Sequence, residues 1–179
     1  PYWTVKNALY DYFNPLEKNH TTDVVIIGSG ITGSLVAHEL CNAGITCCIL
    51  DKRTLSTGSS SASTALLQYE IDKPLYKLAQ SVGEENAALA YKSCLQAIND
   101  IENVFQNIGT NPDFKHVPSV FYARNKQGET IIDNEYEIRK KHGLPATYLT
   151  GKELKKLYGF KAPCALMNNE SAQLDAYLG

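Results

Sequence analysis

Four β-branched residues, Val24-Val25-Ile26-Ile27, run straight into Gly28-Ser29-Gly30-Ile31-Thr32-Gly33, and no other stretch restricts the fold so tightly. A short apolar run bounded by glycine predicts a strand buried on both faces. From Ile31 to Ala43, the residues Leu35, Val36, Leu40 and Ala43 recur at helical spacing, and Gly44 follows as a C-cap. Ile45 to Leu50 is apolar again and closes at Asp51. Strand, helix and strand within about 29 residues predict one right-handed βαβ unit with parallel strands.

Inside that unit each residue of the G-x-G-x-x-G pattern has a physical task. Gly28 permits the tight turn from strand to helix, Gly30 lets a pyrophosphate approach the backbone, and Gly33 lets the helix pack against the strand. Ser29, Ile31 and Thr32 complete the turn, and the helix N-terminus turns free N–H groups and a positive dipole end toward the phosphates. Asp51 stands at the end of the second strand, where a carboxylate accepts hydrogen bonds from ribose hydroxyls. Taken together these features predict a dinucleotide site. A 2′-phosphorylated dinucleotide is disfavoured because the acid is kept, although Lys52 and Arg53 follow it directly.

Between Thr54 and Thr64 the chain is almost all Ser, Thr, Gly and Ala. Small hydroxylated side chains such as Ser59, Ser60 and Ser61 offer donors to phosphate oxygens without blocking the backbone. Placed just after the second strand, the segment is expected to face the ligand. A solvated linker is the alternative.

The remainder reads as alternating elements. Pro74 to Val82 predicts a short helix and Gly83 to Gly109 a long one, with Cys94, Leu95, Ile98, Ile101, Phe105 and Ile108 in one apolar stripe. Beyond Asn111-Pro112, Val117 to Ala123 predicts a strand, and Pro118 puts it at a sheet edge. Thr130 to His142 predicts a charged helix, Thr147 to Leu149 a strand, and Gly151 to Tyr158 a helix capped by Thr150 with Glu153. Ala165-Leu166-Met167 and Gln173-Leu174-Asp175 are the last strand-like pieces. Three regions follow: an N-terminal arm over 1–22, a Rossmann-like region with the long helix over 23–110, and a region of mixed strands and helices over 111–179.

Composition narrows the function classes. A net charge of -2 lacks the basic excess of a general nucleic-acid binder. No apolar run approaches the roughly 20 residues that cross a bilayer. Five cysteines without a C-x-x-C pair predict reduced thiols and a cytoplasmic setting. His20, His38, His116 and His142 lack metal-ligand spacing, so no metal is expected. Arg139-Lys140-Lys141 and Lys152 to Lys156 read as solvated faces. Tyr122, Tyr148 and Tyr177 fit packing or rim positions better than a substrate cavity.

With Asp23–Gly33, Leu50-Asp51-Lys52-Arg53 and Gly58–Ser63 in view, the first 68 residues resemble the D-amino-acid-oxidase-type family of FAD-dependent oxidoreductases. The Tyr2-Trp3 arm is similar to the gamma-glutamylputrescine oxidase-like branch. The resemblance implies an α/β fold in which a Rossmann-like FAD-binding domain is interleaved with an antiparallel-sheet substrate domain, and it would make residues 111–179 a partial substrate domain. It implies FAD as cofactor, with Asp51 on the ribose, Lys52 and Arg53 beside the cofactor and Ser59–Ser61 on the pyrophosphate. Thr64, Ala65 and Leu66 would then run toward the flavin, and catalytic residues stay unassigned. Whole enzymes of the family are longer, so the chain is expected to be an N-terminal portion that is inactive alone and associates with itself. The partners implied are a small amine or amino acid and the remainder of the parent chain. The other readings are an NAD-dependent dehydrogenase and a nucleotide-binding fragment without turnover.

Overall fold

The computed structural model describes residues 2–8 and 13–179, so the part of the N-terminal arm at 1 and 9–12 lies outside the described residues. The chain forms two compact units, Pro1–Ala65 with Asp175–Gly179, and Leu66–Leu174.

In the first unit, β1 (Val24–Ile27) pairs in parallel with β2 (Cys47–Leu50), with α2 (Ile31–Asn42) between them in sequence. Val24 lies opposite Cys47 and Ile27 opposite Leu50, and the Gly28 N–H donates to the Leu50 carbonyl, extending the ladder into the turn. The βαβ expectation holds; the expectation that β1 is buried on both faces does not. Ile26 is buried, whereas Val25 and Ile27 are 54% and 81% exposed. Alternation along a strand sends these two to the face opposite Ile26, and β2 is the only strand paired with β1 among the described residues. Helix α2 likewise has no buried residue. Part of the arm is helical. In α1 (Tyr2–Asn7), the Trp3 indole N–H donates to the Ser63 carbonyl at 2.8 Å, and Lys6 and Asn7 donate to Asp175 at 2.9 and 2.8 Å.

The second unit is built on β6 (Cys164–Gln173), one long strand where the sequence suggested two short pieces. Antiparallel to it run β4 (Lys115–Tyr122) along one side, and β3 (Leu66–Leu67) and β5 (Thr147–Thr150) along the other. β4 is an edge strand whose register shifts between Val117 and Ser119. The shift falls at Pro118, which has no N–H for the ladder. Helices α3 (Leu75–Val82), α4 (Glu84–Ile108), α5 (Glu129–Lys141) and α6 (Gly151–Tyr158) complete the unit. Tyr69, Leu75, Ala87, Tyr91, Ile98, Leu144 and Ala172 form its largest core. The long helix α4 thus packs with the antiparallel sheet, whereas the sequence reading grouped it with the Rossmann-like region. Its apolar stripe is buried at Ile98 and Phe105, but Ile108 is 55% exposed at the end.

Candidate dinucleotide site

The turn leaving β1 is held open by its glycines. Gly28 sits at φ +105°, a conformation that residues with a side chain rarely adopt. Gly33 faces the Gly28 carbonyl so closely that an added Cβ would collide with its oxygen, and would sit 3.3 Å from the Ile26 side chain. This is the close helix–strand packing that the third glycine was expected to allow.

Gly30 is the N-cap of α2 and brings no side chain to its end. The Ile31 N–H donates instead to the Ser60 hydroxyl at 3.2 Å, and a Cβ on Gly30 would come within 3.3 Å of the same oxygen. The Ser-rich segment therefore folds back over the N-terminus of α2. A 3-10 turn over Ser60–Ala62 shapes it, with the Ser61 hydroxyl buried and donating to the Gly58 carbonyl. Ser59 is exposed.

Asp51 ties the turn together. One carboxylate oxygen accepts from the Ser29 N–H at 2.8 Å and the Ser29 hydroxyl at 2.9 Å, while the other accepts from the Arg53 N–H at 2.9 Å. These bonds, the two N–H groups foremost, hold its carboxyl down to about 2, so Asp51 is ionised throughout the neutral range. An ionised carboxylate has about four acceptor sites, so capacity remains for ribose hydroxyls. Lys52 and Arg53 are exposed, and a Cβ at Gly58 would lie 3.3 Å from the Arg53 guanidinium. A cleft of about 1030 Å³ opens beside Ser29, Leu50, Asp51, Lys52 and Arg53.

The remaining expected residues are placed as follows. Thr32 is exposed in the first turn of α2, and Thr64 is exposed after the Ser-rich turn. Ala65 is buried at φ +55°, with its N–H donating to the Ser63 hydroxyl at 3.1 Å. Leu66 opens β3 in the second unit and is 56% exposed.

One cluster escaped sequence reasoning. Arg139 was read as solvated, yet it is 2% exposed. It donates to Glu135 at 2.8 Å, to Glu70 at 3.0 Å and to the Tyr69 hydroxyl at 3.1 Å. Its guanidinium also lies over the rings of Tyr69 and Tyr91, at 5.4 and 5.7 Å from their centroids. Burial opposes its charge, but Tyr69, Glu135 and Glu70 outweigh that and raise its pKa further. The available signal was spacing: Ile132, Glu135 and Arg139 fall at i, i+3 and i+7, on the buried face of α5. Among the histidines, His116 pairs with Glu102 and His142 with Glu84. Among the described residues no cluster of His, Cys, Asp or Glu could hold a metal ion, and no helix is long and apolar enough to cross a membrane.

The model of the FAD dependent oxidoreductase family matches residues 23–178, and the chain belongs to that family. It is 25% identical over 143 residues to the Bacillus subtilis protein YhfW, named for a Rieske 2Fe-2S iron-sulfur centre, covering 80% of this chain and 28% of YhfW. Among solved structures, L-amino acid deaminase from Proteus myxofaciens superposes with a TM-score of 0.75 at 18% identity, over 97% of this chain and 37% of that one. L-alpha-glycerophosphate oxidase from Mycoplasma pneumoniae, solved with FAD bound, gives 0.69 at 19% identity, over 89% of this chain and 40% of that one. The fold is therefore that of these flavoenzymes, and the chain spans well under half the length of each.

Proposed function

We propose that this chain supplies the adenosine diphosphate side of an FAD site, in an enzyme that oxidises an amine or amino acid. The observation that carries the reading is the junction at Gly30, where the backbone is bare, the α2 N-terminus faces the Ser-rich loop and Asp51 is fixed on Ser29. In it, the N–H groups of Thr32 and Gly33, in the first turn of α2 beyond the Ile31 N–H that Ser60 takes, donate to the pyrophosphate, and the hydroxyls of Ser59 and Ser60 donate beside them. Asp51 accepts from the ribose, Arg53 flanks the phosphates, and Thr64 and Ala65 lead toward the flavin. FAD bound there supplies a two-electron acceptor for a hydride from the carbon next to nitrogen. The substrate class is favoured by the likeness to an L-amino acid deaminase. A glycerophosphate oxidase shares the same fold, so the fold alone does not select nitrogen over oxygen. A cytoplasmic setting is supported by the thiols of Cys41, Cys47, Cys48, Cys94 and Cys164, all of them free.

The test is a titration of the longest native form, stripped of cofactor, with FAD, followed by flavin fluorescence. Asp51→Ala should weaken binding by about tenfold or more, since charge-assisted bonds to the ribose are lost. Unchanged affinity would remove Asp51 from the site. Binding of NAD in preference to FAD would turn the reading to an NAD-dependent dehydrogenase. Anaerobic bleaching of the bound flavin by amino acids, but not by glycerophosphate, would support the substrate class.

A further inference from the structure

Two cysteines of the βαβ unit meet across the turn that joins α2 to β2. The sulfur of Cys41, in the last turn of α2, lies 3.8 Å from the sulfur of Cys47, the first residue of β2. The backbone on both sides holds them there. The Gly44 N–H donates to the Cys41 carbonyl at 3.0 Å and the Ile45 N–H to the Leu40 carbonyl at 2.9 Å, which ends the helix. Gly44 takes the turn at φ +73°, and the ladder sets Cys47 opposite Val24. Cys41 is exposed and Cys47 half-buried.

We propose that Cys41 and Cys47 form a redox-active dithiol, closed to an intramolecular disulfide by hydrogen peroxide or an oxidant of that class. A disulfide needs about 2.05 Å between sulfurs, so the two sulfurs at 3.8 Å have only a short distance left to close. The neighbouring Cys48 is the other candidate partner, but successive strand residues point to opposite faces, and it is Cys47 that turns to α2. Burial first, and then the adjoining Cys41 thiol, push the Cys47 thiol up. Cys41 is the more exposed of the two and is the sulfur that peroxide reaches first.

The Cys41 sulfur attacks the peroxide O–O bond and becomes a sulfenic acid, releasing one water with the thiol proton. The Cys47 sulfur then displaces the sulfenic oxygen, which leaves as a second water with the Cys47 proton. In total two thiols lose two electrons and two protons, one S–S bond forms, and one peroxide is reduced to two waters. A thiol reductant reverses the closure. The bond would clasp the helix that carries the glycine turn to the strand that ends in Asp51. It does not depend on the nature of the cofactor.

The test exposes the protein to hydrogen peroxide, blocks remaining thiols with N-ethylmaleimide, and maps tryptic peptides by mass spectrometry. Residues 19–52 form one tryptic peptide carrying Cys41, Cys47 and Cys48. The expected product lacks two hydrogens and bears a single maleimide, on Cys48, and dithiothreitol pretreatment restores three. In Cys47→Ser, Cys41 should stop at a sulfenic acid that dimedone traps, and Cys48→Ser should still close the bond. A Cys47–Cys48 or Cys41–Cys48 link would overturn the proposal. So would three maleimides after treatment, or a sulfinate at Cys41 with Cys47 still alkylated. Both Ser variants keep the βαβ elements, and circular dichroism checks that they fold.

Discussion

Asp51 accepts hydrogen bonds from both the N–H and the hydroxyl of Ser29, although the two residues sit on different connections of the βαβ unit. The acid at the end of β2 is thus a brace for the glycine turn before it is anything to a ligand. Its carboxyl is held down to about 2, below the usual value near 3.9. With the folded value the lower, the carboxylate favours the folded state above the unfolded pKa, and that contribution disappears as pH falls through about 2. Acid titration followed by the fluorescence of Trp3 and circular dichroism should show this loss between about pH 4 and 2. Asp51→Asn should flatten that part of the profile. A wild-type slope in the variant would show that the brace contributes nothing.

Gly33→Ala should damage the first unit more than its small size suggests. The new methyl would collide with the Gly28 carbonyl oxygen, a backbone atom that cannot swing away. Helix α2 must then lift from β1, and FAD affinity should fall by about tenfold or more as the turn reshapes. Thermal unfolding and cofactor titration read both effects. Normal values in both would mean that the helix has room to move.

Arg139→Met should destabilise the second unit severely. It strands Glu135, which is fully buried and keeps only the Tyr76 N–H, at 3.1 Å, as a donor from the backbone. Removing one partner of a buried ion pair costs on the order of 3–5 kcal/mol. Adding Glu135→Gln removes the orphaned charge, so the double variant should recover part of the loss. Urea unfolding of all four proteins in the cycle checks this, and strict additivity would refute the coupling.

Thr150→Ala should cost about 1 kcal/mol, the usual value for a lost N-cap. The Thr150 hydroxyl accepts from the Glu153 N–H at 3.4 Å while the Glu153 carboxylate accepts from the Thr150 N–H at 2.7 Å, a complete capping box. Thr150→Ser should retain most of the stability in denaturant titrations, and equal midpoints for Ser and Ala would argue against the cap.

What was legible in the sequence was what neighbours along the chain decide. The glycine turn, the β1–α2–β2 order, the edge position forced by Pro118 and the capping box all rest on contacts within a few dozen residues. What was illegible depended on partners brought from afar. Arg139 read as one of three exposed cations because Glu70, which helps to neutralise it, lies 69 residues away. The full length of β6 was hidden by Asn168, Asn169 and Glu170, polar residues that resemble a break. Asn168 is nevertheless buried, donating to Glu70 and accepting from the Glu170 N–H at 2.9 Å. The exposed face of β1 escaped because an apolar run shows what a strand can bury and not how many neighbours it finds.

Three strands share β6 as partner, and the last of its pairings joins Gln173 to both Lys115 and Leu66. Just beyond it, Asp175 returns to the first unit to receive Lys6 and Asn7. On a ribosome, β3, β4 and β5 therefore emerge with no strand to pair against until residues 164–173 leave the exit tunnel. Long-range pairing of this kind is slow, and unpaired strand edges attract other chains while they wait. Synthesis of this protein thus includes an interval in which β3, β4 and β5 stand unpaired, and a stop codon placed before Cys164 would release a chain whose second sheet cannot assemble.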